Sequence, residues 1–385
     1  MSAARLRPVH VGVLAVGVAL VFVGARWFVA ADRDVSRFVV AGSDFVDARA
    51  AEPGIHVFPG TGYDGQFYWR LAVSPSRLAP PAEAGARLDS GIRAGRMAYP
   101  LLAWALAAGR PGLVVWSLVL VNCIAVGCLA AAAAAFASDH GLAPAWGLLA
   151  AASSGLVMTL SRDLCEAVML AALVTGALAV ARRAPWAAAA AWSLAVLTHE
   201  QSLVVVVAYA GTRLLRVATH RARPGVEDAP WLVPGLAFVV WQLVARAAIG
   251  ELPLLSSADR NAAVPFAGLL PELGRWLSLD VGRQEVLVLP QVILVVALVV
   301  VALVRSRAVE GDDRWLPVAL ACTLLVPATL SRNVWQGPAE LRTIVIVPTF
   351  AVLCLLAERR PPPAWLTGGV GAVWLATAAL RIAAV

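Results

Sequence analysis

The sequence predicts an all-α polytopic membrane protein of about eleven transmembrane helices, with a long first outer loop that carries short surface helices. Three observations predict it. Of the 385 residues, 60% are hydrophobic and only 14% charged, against about a quarter charged in soluble domains, and the mean hydropathy is +0.78. Apolar runs of about 17–25 residues, the length that crosses a bilayer, recur along the chain. Arginines close these runs in alternate loops, as the positive-inside rule requires. A chain of this composition could not fold in water without exposing very large apolar patches, so residues 1–385 read as a single transmembrane domain.

Taken in order, span 1 covers residues 9–31 with Arg5 and Arg7 inside. The apolar run is long for a signal-peptide core and Arg26-Trp27 interrupts any cleavage site, so the reading is an uncleaved signal-anchor with a cytoplasmic N-terminus. Residues 32–96 form the first outer loop, too polar for lipid and too rich in Pro and Gly for one long helix. Residues 97–109 are apolar but too short to cross, which suggests an interfacial or re-entrant helix. Spans 2 to 7 fall at 113–137, 142–160, 164–181, 185–198, 202–215 and 231–249, the fifth and sixth near the lower limit of length. A second outer segment, 251–285, carries an apolar stretch at 264–279 that reads as a helix on the membrane surface. Spans 8 to 11 fall at 286–304, 315–330, 343–357 and 364–380.

The check on this layout is independent of hydropathy. Arg182/Arg183, Arg213 to Arg223, Arg305/Arg307 and Arg359/Arg360 all land on the side of the N-terminus. The exception is 138–141, which is placed inside without an arginine. All 31 basic residues are arginine and the net charge is +7. Arginine in short loops orients a membrane protein, so the basic pI does not point to nucleic acid. The five cysteines, Cys123, Cys128, Cys165, Cys322 and Cys354, lie in or beside apolar spans without metal-ligand spacing and read as small core residues. No metal or other cofactor is expected.

The unusual polar residues gather on the outer face. Tyr63-Asp64-Gly65-Gln66-Phe67-Tyr68-Trp69-Arg70 combines a carboxylate, an amide, aromatics and an arginine. Asp-Gly is a common turn pair; it also suits a general base, which needs a carboxylate within reach of a hydroxyl. Phe67, Tyr68 and Trp69 read as interface anchors. Arg162 and Glu166 stand one helical turn apart and can pair at the mouth of span 4, with Asp163 near the helix dipole; a carboxylate such as Glu166 inside a span is a site candidate. His199-Glu200-Gln201 reads equally as a polar loop tip or as a donor- or acceptor-binding element, and His199 has no His or Cys cluster beside it. Arg332, Glu340 and Arg342 fit interface snorkelling or recognition of a lipid phosphate. Gly337-Pro338 suggests a turn that brings Arg332 and Arg342 together.

Tyr63 to Ala72 just after span 1, Ser161-Arg162-Asp163-Leu164-Cys165-Glu166 before span 4, and Leu197-Thr198-His199-Glu200 together resemble the GT-C superfamily of integral-membrane glycosyltransferases, with His199 where arginine is commoner. The resemblance implies a polyprenyl-phosphate-linked sugar as donor, a glycan or glycolipid acceptor, and inversion at the anomeric carbon, at the outer face of the cytoplasmic membrane. It implies that Asp64 takes the acceptor proton while Arg342, with Arg332 or Arg162, receives the leaving phosphate. Tyr63, Gln66, Arg70, Asp163, Glu166, Glu200 and Glu340 complete the expected substrate-binding set. Rival readings are a transporter or flippase of a lipid-linked sugar, which calls for internal repeats and midplane charges, and a non-catalytic membrane scaffold.

Overall fold

The structure is a computed structural model that describes residues 6–47, 49, 54–78, 85–256, 261–282, 285–309, 311–335 and 340–383, with Ala308 and Glu340 described in the backbone only. Helix dominates. The order is α1 (Pro8–Val29), strands β1 (Ala41–Gly42) and β2 (Val57–Phe58), α2 (Gly65–Val73), α3 (Ala98–Leu106), α4 (Val114–Asp139), α5 (Leu148–Ala151), α6 (Ser154–Ser161), α7 (Glu166–Ala181), α8 (Pro185–Thr198), α9 (Leu203–Ala218), α10 (Ala229–Ile249), α11 (Leu269–Leu277), α12 (Val288–Arg305), α13 (Trp315–Thr323), α14 (Leu325–Thr329), α15 (Arg332–Trp335), α16 (Ile346–Ala357) and α17 (Ala364–Ala383). Pro8 and Pro185 sit at the first turns of α1 and α8, where the missing N–H costs nothing. Gly250 ends α10 in the left-handed region, as helix C-termini favour.

Helix α4 is the spine. It packs against α1, α3 and α7, and α7 in turn carries α8, which packs on α10. The α1–α4 crossing is set by glycine. A Cβ on Gly12 would stand 2.9 Å from the Gly127 carbonyl oxygen, and one on Gly127 would stand 3.0 Å from the Gly12 oxygen, so the two backbones touch, as small residues allow between helices in lipid. A second core element, α16, is buried along its length except at Pro348 and packs against α12 and α13. Outward-facing side chains such as Val13, Val21, Leu236, Leu243, Ile293 and Val300 are exposed apolar groups on the outer helices, the surface that a bilayer would cover.

Among the described residues, six helices are long and apolar enough to cross a membrane, or seven if 144–161 counts as one span bent by 61°. Helix occupies the eleven positions read from sequence in thirteen pieces, because the third and the ninth are each divided, and not all have spanning length. Helices α7, α8 and α16 have 16, 14 and 12 residues, about 24, 21 and 18 Å at 1.5 Å per residue, short of a core of about 30 Å. The expected ninth span is divided into α13 and α14, with Leu324 between them.

The helix ends sort into two groups. Asp139 at the end of α4 pairs with Arg182 after α7 at 2.7 Å, and Arg183 pairs with Asp312 at 3.0 Å. Arg213 of α9 pairs with Asp228 at 3.1 Å, and Arg305 of α12 with Glu358 after α16. The loops read as inside therefore meet at one end of the bundle. Because α7 begins at Glu166 and ends beside Arg182, Glu166 and its neighbours lie at the other end.

Two expectations for the first outer loop are corrected. Helix α2 is not a surface helix, since Gly65 to Ala72 are all buried, packed against α3 and α4. Phe67, Tyr68 and Trp69 are accordingly core residues at 3%, 0% and 0% exposure rather than interface anchors. In the second outer segment a short helix does form, α11, with Glu272 and Trp276 turned inward.

Candidate active site

The loop that presents Asp64 is pinned on both sides. Strands β1 and β2 pair in parallel, Ala41 with Val57 and Gly42 with Phe58. A Cβ on Gly42 would stand 2.2 Å from the Gly62 nitrogen, and Gly62 itself has φ +65°, so both positions demand glycine. The Gln66 side chain locks this arrangement: its Oε1 accepts from the Gly42 N–H at 2.9 Å and its Nε2 donates to the Thr61 carbonyl at 2.8 Å. Gln66 is thus a brace inside the loop. Gly65 completes it, because a Cβ there would meet the Arg162 carbonyl oxygen at 2.4 Å and that of Val39 at 2.8 Å.

Asp64 holds the position before the first residue of α2, yet its side chain does not cap the helix. The carboxylate is committed to two guanidiniums instead. Arg93 Nη2 lies 2.8 Å from Oδ1, and Arg342 Nη2 donates to Oδ2 at 2.7 Å. Arg342 also donates from Nη1 to Glu166 Oε1 at 2.7 Å and from Nε to the Tyr63 hydroxyl at 2.9 Å. Arg93 is held in turn by Asp89 at 2.9 and 3.1 Å and lies over the Phe67 ring. The adjacent Tyr63 and Asp64, together with the distant Glu166 and Arg342, therefore form one hydrogen-bonded group.

A second group adjoins it. Arg96 donates from Nε to Glu200 at 2.8 Å, bonds the same carboxylate from Nη2, and reaches the Tyr68 hydroxyl at 3.3 Å. The Cys165 thiol donates to that hydroxyl at 3.1 Å. Ligand atoms of Cys165, Glu166 and His199 lie within 4.8 Å of one another, all three residues buried. This sulfur, oxygen and nitrogen set suits a zinc-like ion by donor type, while Arg342 on Glu166 opposes a cation there. The sequence gives His199 no partner cluster; the fold supplies one by bringing the start of α7 beside the end of α8.

The remaining expected residues fall elsewhere. Arg162 does not pair with Glu166, because it lies in the turn before α7 and not on that helix; its guanidinium stacks on the Tyr63 ring at 4.5 Å. Asp163, beside it, is fully buried with φ +47° and no hydrogen-bond partner on either carboxyl oxygen. Arg70 is fully buried on α2 and takes no part in the Asp64 contacts. Arg332 does not converge with Arg342: it pairs with Glu272 at 2.9 Å, in a network with Arg275 and Glu285. The Glu340 side chain and the Gly337-Pro338 turn lie outside the described residues.

Burial alone would raise the Asp64 carboxyl, but Arg93 and Arg342 outweigh it and hold the group well below the usual carboxylate range. Asp163 has burial without a compensating cation and is pushed well above that range. Burial and the nearby Arg96 push His199 down to about 4, leaving a neutral imidazole. The arrangement thus provides one carboxylate that stays ionised, Glu166 beside it, and cations that orient both. Arg93, Arg96, Tyr68 and Cys165 are the contributors not singled out from the sequence as site residues. The Arg93/Arg96 pair inside the glycine-bearing run Gly91-Ile92-Arg93-Ala94-Gly95-Arg96 was the available signal. No protein-family model, no curated protein and no solved structure matches this chain.

Proposed function

We propose that the protein is an inverting glycosyltransferase that moves a sugar from a polyprenyl-phosphate-linked donor to an acceptor hydroxyl, with the Asp64 end of the bundle at the outer face of the cytoplasmic membrane. The single observation that carries this reading is the Asp64 carboxylate, clamped between Arg93 and Arg342 beside Glu166 at one end of an apolar helical bundle. A carboxylate used only as a turn or cap has no need of two guanidiniums.

In this reading the acceptor oxygen bonds to the anomeric carbon as the bond from that carbon to the phosphate oxygen breaks. The electron pair leaves with the phosphate, and the acceptor proton passes to Asp64. A carboxylate held so far below its usual range is a weak base, so the transfer is late: the proton moves once bond formation has made the hydroxyl acidic. Arg93 and Arg342 hold one oxygen of Asp64 each and so fix the plane of the carboxylate, and the buried setting strengthens their fields. Arg342 cannot serve the leaving phosphate undisturbed, since each of its three nitrogens already donates to a protein oxygen.

The test is incubation of membranes with radiolabelled polyprenyl-phosphate sugars, comparing the intact protein with Asp64→Asn. Transfer should fall by about 10²–10⁴-fold, the usual cost of losing a general base, with membrane yield unchanged. Transfer no greater than in membranes that lack the protein would overturn the reading in favour of a flippase or scaffold, and equal transfer by the two proteins would remove Asp64 as the base.

A further inference from the structure

At the end of the bundle opposite Asp64, three loops enclose a wide cavity. Its volume is about 1050 Å³, at the top of the range for small-molecule sites. Six arginines line it. Arg183 comes from the turn between α7 and α8, Arg314 from the turn before α13, and Arg213, Arg216, Arg221 and Arg223 from the end of α9 and the loop after it. Three of the six are met by acids. Arg213 pairs with Asp228 at 3.1 Å, while Arg183 and Arg216 share Asp312 at 3.0 and 3.6 Å. Arg221, Arg223 and Arg314 form no ion pair among the described residues, and the other described acid in the lining is Glu227. Orientation in a membrane asks for arginine in inner loops, but not for arginine from three loops around one cavity. Arg307 and Arg359 follow helices that end at the same side of the bundle and do not line it.

The cavity is also continuous with apolar surface. Tyr209 and Trp315 are buried in its wall, ring against ring at 5.4 Å. Leu215 lines it and is exposed, and Val207 and Leu214 carry the exposed apolar face further along α9. Trp186, next to the lining residue Pro185, is 64% exposed; tryptophan in such a place marks the level where lipid tails meet headgroups.

We infer that this cavity seats the headgroup phosphate of an acidic phospholipid from the leaflet on its own side of the membrane, held by Arg221, Arg223 and Arg314, with the acyl chains along the exposed face of α9. A soluble anion would satisfy the arginines and leave Val207, Leu214 and Leu215 bare. A zwitterionic lipid would cover those side chains and leave the positive charge unmatched. An acidic lipid meets both needs. Basic pockets between helices on the cytoplasmic side take such headgroups, and guanidinium forks match phosphate oxygens in shape. Because the arginines come from separate loops, the bound headgroup ties the α9–α10 loop to the start of α13. The inference does not rest on the transferase reading, since a scaffold with this fold would bind the lipid equally.

The experiment is native mass spectrometry of the purified full chain in detergent, titrated with dioleoyl phosphatidylglycerol and, separately, with dioleoyl phosphatidylcholine. The first should bind at least about tenfold more tightly, since each arginine near an anionic headgroup contributes roughly fivefold. Arg221→Gln and Arg314→Gln should each weaken phosphatidylglycerol by roughly fivefold and leave phosphatidylcholine as it was. Arg307→Gln, the same charge change outside the cavity, should weaken neither lipid. Arg221 and Arg314 are exposed, so both variants should melt with the wild type, which thermal midpoints check. Equal binding of the two lipids overturns the inference. So does a loss in Arg307→Gln as large as that in the cavity variants, or displacement of the bound lipid by inorganic phosphate at the lipid's own concentration.

Discussion

Asp64 shows how much one side chain's partners can change its chemistry. With Arg93 and Arg342 in place its folded-state value lies below the unfolded one, so the clamp's contribution is present above pH of about 4, the unfolded carboxylate value, and is lost only as pH falls through the depressed folded value. An acid limb of activity should therefore be absent down to that range. Arg93→Gln removes the first of the two cations, so an acid limb should rise toward pH of about 4; a pH–rate profile of both proteins checks it, and superimposable profiles would count against the clamp. At this scale the sequence was informative where chemistry is local. Tyr63, Asp64, Glu166 and Arg342 stand out as polar residues flanking apolar spans, and they do meet. Gln66 and Arg332 stand out in the same way and do other work, because a side chain's type does not say which backbone it faces. Arg93 and Arg96 look like ordinary loop arginines until the loop folds back over α2.

Among the elements, the helices were the legible part. The limits of α8 agree with the sequence reading to the residue, since Pro185 and His199-Glu200 mark both ends. The bend between α5 and α6 falls at Ser153-Ser154-Gly155, a signal for a kink that the spanning length of the whole run 142–160 outweighed in the sequence reading. The burial of α2 was not legible, because the mixed composition of this short helix hides that every side is covered. The α1–α4 crossing gives a sharp test within one helix. Gly12→Leu inserts a side chain where backbone of α4 stands at 2.9 Å, whereas Gly17→Leu meets nothing within 4 Å. Overpacking of this kind costs about 1–3 kcal/mol. Thermal unfolding in detergent should show a lowered midpoint for Gly12→Leu and none for Gly17→Leu; equal midpoints would mean that the helices do not touch there.

For the whole molecule, the division of charge between the two ends is the feature that orientation depends on. Positive loops read from sequence do assemble at one end, through Asp139–Arg182 and Arg183–Asp312, which is why arginine placement predicted the layout better than span length did. Exposed positions can report which side each end faces. Asp44→Cys lies in the first loop, and Arg183→Cys lies at the opposite end, where its side chain is 85% exposed. On the proposed orientation an impermeant maleimide labels Asp44→Cys in intact cells and Arg183→Cys only after permeabilisation. The reverse pattern would place the Asp64 group in the cytosol and end the transferase reading.

The brevity of α16 has a consequence for the level at which Arg342 stands. Helices α12 and α16 share a base, where Arg305 meets Glu358. Helix α16 has only 12 residues against 18 in α12, and the chain from Arg342 to Val345 makes up the difference, since Arg342 lines one small cavity with Leu287 and Val288 at the start of α12. The charged group is therefore flush with the top of its neighbour and not sunk below it. Under the proposed reading, a reactant anchored in the surrounding leaflet meets that group without leaving the layer it sits in.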